Sequence, residues 1–399
     1  MEFLFDVSFH NDVPGAAGAD IRIDIPQGIL AVLSWADGEG HALDDYLPIK
    51  ALPLTDGKGA YLLRDGLMIP EKARAMLCRV YNDCMLEIVL PELKFRLPEH
   101  KLLPERTPEK LYYATSDIHL GGHYFHNYEN RSLAFRRMAQ DAPAAVFITG
   151  DIADNSNPEE YEEARTLIDE IFTGIPVFVS AGNHDYSPYK PGAVPHFAEM
   201  HAFFEWECKR AEALGAKTAD LNERNYFEAR LGDNTQVLVL NPNDVGNHFE
   251  VGEAQREWLS EKLNAGDGAR VRFVLTHFHQ QNTVGCSERQ QGMKFFIDND
   301  EVQEILDRHT GIIHLSGHTH YNFDSDMPNA SFDSARRILY LNAGCAVWNG
   351  VDMNVRREYY LQNRCTGQRI EVYGDSVITR GVDFVSGKYI PRCLSAHTM

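Results

Sequence analysis

The first hundred residues carry apolar positions at period two or in short runs. Ile21, Ile23 and Ile25 alternate with Arg22 and Asp24, and further runs cover Leu30 to Trp35, Tyr61 to Leu63, Met76 to Tyr81, Met85 to Leu90 and Leu93 to Leu97. Between them lie Asp37-Gly38-Glu39-Gly40 and Asp56-Gly57-Lys58-Gly59, residues suited to tight turns. This pattern predicts a small antiparallel β-domain over 1–103. Pro104 and Pro108, set among charges, mark a linker over 104–110.

From Leu111 the texture changes to short buried strands alternating with amphipathic helices, an α/β layout. The predicted strands are Leu111–Thr115, Val146–Thr149, Pro176–Ser180, Val237–Leu240, Val271–Thr276, Ile312–Ser316 and Ile338–Leu341. Between the second and third, Asn157 can cap a helix, Pro158 suits its first turn, and Tyr161, Ala164, Leu167, Ile168, Ile171 and Phe172 form one stripe. The stretch Pro195 to Gly215, with Phe197, Phe203, Phe204 and Trp206, reads as a helix with an aromatic core face. Residues 351–399 turn strand-like again (Glu358–Gln362, Arg369–Tyr373, Val377–Phe384) and are too short to bury a core of their own. They are expected to extend the preceding 111–350 domain.

Composition narrows the class. At 44% hydrophobic and 24% charged, the 399 residues suit a globular protein and not a disordered one. A net charge of −20 weighs against nonspecific binding to nucleic acid or anionic membranes, both of which draw on Lys and Arg. No apolar run reaches the roughly 18–20 residues of a spanning helix. Seven scattered cysteines without a CxxC point to a reducing compartment, and acidic residues interrupt the apolar start, so the expected location is the cytoplasm.

The chemistry sits where the strands end. Asp117-Ile118-His119 follows the first strand of the α/β region, Gly150-Asp151 the second and Gly182-Asn183-His184-Asp185 the third; His277 follows the fifth and Gly317-His318-Thr319-His320 the sixth. Five strand ends thus present Asp, His or Asn at the edge where open α/β sheets bind ligands. A lone His there is commonly structural, but five converging sets point to a functional site.

The order D-x-H, G-D, G-N-H-D, H, G-H-x-H resembles the calcineurin-like metallophosphoesterase superfamily, over roughly residues 111–348. The resemblance implies that the α/β layout is an α-β-β-α sandwich of two sheets. It implies one metal held by Asp117, His119, Asp151 and His320, and a second by Asp151, Asn183, His277 and His318. Two dications against two carboxylates leave about +2, a charge suited to a phosphate ester, with a hydroxide between the metals as the implied nucleophile. Imidazole-rich ligation suits Mn, Fe, Zn or Co better than Ca or Mg. By the same resemblance His184 acts on the substrate or leaving group, and Asp154 pairs with it.

Departures from related branches shape the expected activity. Protein serine/threonine phosphatases carry Arg directly after the carboxylate matched by Asp154 and another after the G-N-H-E motif, whereas this chain has Asn155 and Asp185-Tyr186-Ser187. Purple acid phosphatases place a Tyr ligand where Asp154 stands and do not use His at position 119. The chain looks most like the bacterial phosphodiesterase branch. The expected substrate is a small-molecule phosphodiester or monoester. A DNA-repair type nuclease and a catalytically silent interaction scaffold are the alternatives, the acidic charge weighing against the first and the intact ligand set against the second. His123, Tyr186 and His279 are candidate substrate contacts at the rim. Asn130 and Arg131 could meet a phosphate but also open a predicted helix with a polar face.

Overall fold

In the computed structural model Ile21, Ile23 and Ile25 are all buried while Asp20 and Arg22 are exposed, the alternation that makes a strand lie on a core. The structure describes residues 4–9, 16–88, 94–97, 107–122, 128–186, 194–232, 234–242, 250–265, 269–285, 287, 300–320, 323, 328–347 and 364–399. It divides into two units, Met1–Pro108 with Ile378–Val382 and Gly387–Ala396, and Glu109–Val377 with Asp383–Ser386 and His397–Met399.

In the first unit the strands are β1 (Leu4–Phe9), β2 (Ala16–Asp24), β3 (Leu30–Ala36), β4 (Lys50–Pro53), β5 (Lys58–Met68), β6 (Ala75–Tyr81) and β7 (Lys94–Arg96). They form two sheets, ordered β1-β2-β5 and β4-β3-β6-β7, and every pairing is antiparallel. One core cluster joins Val7, Ile21, Ile23 and Leu63 of the first sheet to Leu33, Trp35, Met76 and Val80 of the second. The run Met85 to Leu90, expected as a strand, begins instead as a turn. Asn82 Oδ1 accepts from the Cys84 and Leu86 amides, Met85 has φ 57°, and among the described residues the run pairs through a Tyr81–Glu87 bridge. Residues 89–93 lie outside the described residues.

The second unit runs β8 (Lys110–Thr115), α1 (Tyr128–Gln140), β9 (Ala145–Thr149), α2 (Pro158–Ile171), β10 (Val177–Ser180), α3 (Asn183–Tyr186), α4 (Phe197–Ala213), β11 (Lys217–Ala219), β12 (Phe227–Leu231), β13 (Thr235–Val239), α5 (Glu253–Asn264), β14 (Val271–Leu275), α6 (Asp300–Leu306), β15 (Ile312–Ser316), β16 (Ala330–Asp333), β17 (Ile338–Asn342) and β18 (Thr366–Tyr373). The chain ends in β19 (Ser376–Asp383) and β20 (Lys388–Thr398). One sheet contains the order β10-β9-β8-β18, with β8, β9 and β10 parallel and β18 antiparallel to β8. The other runs β11-β12-β13-β14-β15-β17-β16, and its β13, β14, β15 and β17 are parallel.

The two sheets meet through aromatic residues at alternate positions. Phe273 of β14 lies 4.5 Å from Phe147 of β9 and 4.9 Å from Tyr112 of β8, ring centre to ring centre, and the Tyr112 hydroxyl is 2.8 Å from Thr235 Oγ1. The next residue along, Val274, turns the other way into a cluster with Trp258 and Leu259 of α5 and Val302 and Ile305 of α6. Helices α1, α2 and α4 belong to the opposite layer. Phe135 of α1 packs 5.1 Å from Phe172 beyond α2, and Tyr161 of α2 packs 5.8 Å from Phe203 of α4. This is the α-β-β-α sandwich. Glu160 reaches back to the Asn157 amide at 2.9 Å to close the start of α2. The aromatics of α4 form a core face, since Phe203 and Phe204 are fully buried.

Candidate metal centre

Each of the five motif loops begins within three residues of a strand end: Asp117 and His119 follow β8, Asp151 follows β9, Asn183 follows β10, His277 follows β14, and His318 and His320 follow β15. Five of these seven residues have left-handed backbones: Asp117 (φ 53°), His119 (39°), Asp151 (48°), His318 (70°) and His320 (47°). A non-glycine residue there costs on the order of 1–3 kcal/mol and persists only when its surroundings hold it. Here the loops hold one another. The Asp117 amide donates to Gly150 O (3.1 Å), the His119 amide to Asp151 O (2.9 Å), the His318 amide to Asp117 Oδ2 (3.0 Å) and the His184 amide to Asp151 Oδ1 (2.9 Å). Glycine is required at two close approaches, because a Cβ on Gly182 would overlap Asp151 Oδ1 and one on Gly317 would overlap Ser116 Oγ.

Two side-chain clusters result, and they share one carboxylate. Asp117, His119, Asp151 and His320 bring one ligating atom each within 4.8 Å of one another, and so do Asp151, His277 and His318. Asn183 joins the second cluster with Oδ1 3.1 Å from His277 Nε2. Hydrogen bonds on the far side of two rings decide which nitrogen faces inward. His277 Nδ1 donates to Thr149 O (2.7 Å) and His119 Nδ1 to Asp154 Oδ1 (3.0 Å), so each turns the Nε2 lone pair to the centre. The Nε2 atoms of His119 and His320 then stand 3.1 Å apart. Asp117 Oδ1 is buried with no aligned donor although His320 Nε2 is 3.0 Å away; distance alone makes this an ion pair, and the poor alignment leaves the oxygen open to a cation. Converging imidazole lone pairs and a buried carboxylate oxygen are a donor set that fits bound metal.

A third cluster joins His119, Asp154 and His184. His184 Nδ1 lies 3.0 Å from the Asp154 carbonyl and 3.4 Å from its Oδ1. The other Asp154 oxygen accepts from Asn155 Nδ2 at 3.1 Å. Burial alone would lower His184, but the Asp151 charge and the bonds to Asp154 lift it to about 9. Burial would raise Asp154 and Asp117, yet the histidines beside each hold both well below the usual carboxylate range.

The remaining predicted contacts fall elsewhere. Tyr186 is buried, its ring 5.8 Å from Phe197, and burial pushes its hydroxyl well up. His279 is wholly buried; its Nδ1 meets Ser316 Oγ at 2.5 Å and its Nε2 lies 3.4 Å from Thr319 Oγ1. Neither stands at a rim, because the turn after β14 and the helix turn α3 point these side chains into the protein. Burial also pushes His279 down to about 3, which keeps the ring neutral. His123 lies outside the described residues. Asp185, which no motif spacing marks as functional, is a structural tie: its carboxylate accepts from the Ile152 (3.2 Å), Ala153 (3.0 Å) and Gly182 (2.8 Å) amides and from the Tyr161 hydroxyl (3.2 Å). It ties the loop after Asp151 to the loop before Asn183. Burial, then the Asp151 charge, push it up to about 7 against those amide donors.

The sandwich fold with these clusters at its strand ends defines a metallophosphoesterase architecture. The family model for the calcineurin-like phosphoesterases matches residues 112–322, and the chain belongs to that family. It is 24% identical over 185 residues to a protein of Rhodococcus erythropolis named as a probable cyclic nucleotide phosphodiesterase, covering 45% of this chain and 52% of the relative. A Synechococcus protein of the same name is 24% identical over 192 residues, 47% of this chain and 62% of the relative. The chain thus matches about half to three-fifths of the length of these relatives. Among solved structures, a purple acid phosphatase from yellow lupin seeds shares the fold with a TM-score of 0.50 at 11% identity, over 98% of this chain and 73% of that one. No helix among the described residues is long and apolar enough to cross a membrane.

Proposed function

We propose that this chain hydrolyses a small-molecule phosphodiester at a two-metal centre, one metal held by Asp117, His119, Asp151 and His320 and the other by Asp151, Asn183, His277 and His318. The observation that carries this reading is the shared Asp151, a buried carboxylate that joins the two ligand clusters. Such cations, when bound, supply the positive charge that polarises phosphoryl oxygens and lowers the pKa of water near neutrality. The chain's own residues do the rest. Thr149 O and Asp154 fix the rings of His277 and His119, and Asp185 fixes the loops that carry Asp151 and Asn183. His184, with Nδ1 committed to Asp154, is positioned to pass a proton from Nε2 to the leaving oxygen, a contribution of about 10²–10⁴-fold. The diester preference is supported by the names of the two relatives and by Asn155 standing where the phosphoprotein phosphatases carry a phosphate-clamping Arg.

The test is turnover of Mn(II)-reconstituted protein on bis(p-nitrophenyl) phosphate beside p-nitrophenyl phosphate, with metal analysis of the same sample and Asp151→Asn as control. A diester preference that the control loses is expected, and cyclic nucleotides are then the next substrates. A monoester preference replaces the diester reading with a phosphatase. Protein that binds no metal and turns over neither ester overturns the proposal in favour of an interaction scaffold.

A further inference from the structure

The peptide between Ile118 and His119 is gripped at both ends. Its N–H donates to Asp151 O at 2.9 Å, and its carbonyl accepts from Arg131 Nη1 at 2.5 Å. The residues on either side of Ile118, Asp117 and His119, are both in the left-handed region, so the plane of this peptide sets the direction of His119 and, through Ile118, constrains that of Asp117. Arg131 lies in the first turn of α1 and is 3% exposed, and its Nη2 stands 3.6 Å from Glu163 Oε1 on α2. A guanidinium buried this deeply is costly unless its donors meet acceptors, and a charge-assisted bond to a buried carbonyl is among the stronger ones. We propose that Arg131 is a positioning residue of the metal centre, holding the Asp117-Ile118-His119 turn in register with Asp151 rather than contacting phosphate.

The inference rests on the two-metal reading above and adds a residue from outside the motif loops. Its chemistry is an ordering effect. With the carbonyl released, the turn can relax from its left-handed conformation, and Asp117 and His119 lose their aim at the first metal, while Asn183 and His277, whose loops do not hang on Asp117, keep theirs. Outer residues that orient metal ligands in this way typically contribute about 10–100-fold in metal affinity.

The experiment compares wild type, Arg131→Ala and Arg131→Lys by equilibrium dialysis against Mn(II), thermal unfolding of the metal-free proteins, and steady-state kinetics on bis(p-nitrophenyl) phosphate at saturating Mn(II). Wild type is expected to bind two equivalents. Both variants are expected to weaken one of the two by about tenfold or more, with KM at saturating Mn(II) within about twofold of wild type. Arg131→Lys keeps the charge and the packed stem, so it carries the test if Arg131→Ala does not fold. A folded variant with unchanged Mn(II) affinity overturns the inference, whether it shows a raised KM, as a phosphate contact would, or only a lower melting temperature. Wild-type protein that binds no Mn(II) overturns the two-metal reading itself, an outcome distinct from the previous one.

Discussion

Asp154 Oδ1 lies 3.0 Å from Nδ1 of His119. The same oxygen is 3.4 Å from His184 Nδ1, so the carboxylate that the sequence pairs with a catalytic histidine is closer to a candidate metal ligand. One carboxylate therefore orients both the ring of the candidate ligand His119 and the ring of the candidate acid His184. Asp154→Asn keeps the shape but can present an amide N–H to His119, which turns the wrong tautomer inward. We expect Mn(II) affinity to fall by about 10–100-fold together with turnover, read by dialysis and kinetics on one preparation. Lower turnover with unchanged metal affinity would confine Asp154 to His184.

His184→Ala leaves the two ligand clusters intact. Metal content should stay at the wild-type level, and turnover should fall more for esters with alkoxide leaving groups than for p-nitrophenyl esters, whose phenolate leaves without a proton. The expected loss on the alkyl ester is about 10²-fold or more. Equal turnover of variant and wild type on an alkyl ester would remove the acid role.

Gly182→Ala tests how tightly the loops are packed. The added methyl group would overlap Asp151 Oδ1, the oxygen that also accepts the His184 amide at 2.9 Å. Asp151 is buried and shared by both clusters, so it has no direction in which to retreat without leaving one of them. The variant should lose binding at both metal sites at once, measured as equivalents bound at fixed Mn(II). Full occupancy would show that the turn gives way at Gly182 and not at Asp151.

How far the sequence could be read follows from what kind of contact holds each part. Strands such as β9, β14 and β15 are mostly apolar, buried along nearly their whole length and bounded by polar turns, so their limits came within a residue or two of those observed. The strand-end Asp, His and Asn residues were legible only together: one such residue after a buried strand is commonly structural, but five sets converging on one edge of the sheets are not. Ala330–Asp333 carries only half-buried residues, and Phe227–Leu231 mixes Glu228 and Arg230 into its run, and both strands escaped. Contacts between a side chain and a distant backbone leave no pattern at all. Nothing in the spacing shows that Arg131 meets the Ile118 carbonyl, or that Asp185 gathers three amides from two loops. His279 misled for the converse reason, since its neighbour His277 turns to the cluster while His279 turns to Ser316 and Thr319.

Glu207, away from the metal centre, makes stability depend on pH. It sits on α4 at 2% exposure, where Oε1 accepts the Val179 amide of β10 at 2.9 Å and Oε2 is buried without a donor among the described residues. Burial pushes this carboxyl well above its usual range, and the Val179 amide and then the Arg210 charge offset only part of that. A carboxyl whose folded pKa is raised binds its proton more tightly in the native state. Its stabilising contribution is complete below the unfolded value near 4.5 and is lost as pH rises toward the folded value. Across that window one such group gives a slope of up to about 1.4 kcal/mol per pH unit. Glu207→Gln keeps the Oε1 acceptor and removes the titration. Denaturant unfolding at pH 5 and pH 8 should therefore show the variant gaining on wild type as pH rises, with the larger advantage at pH 8. Parallel stability curves for the two proteins would mean that Glu207 titrates alike in the folded and unfolded chain.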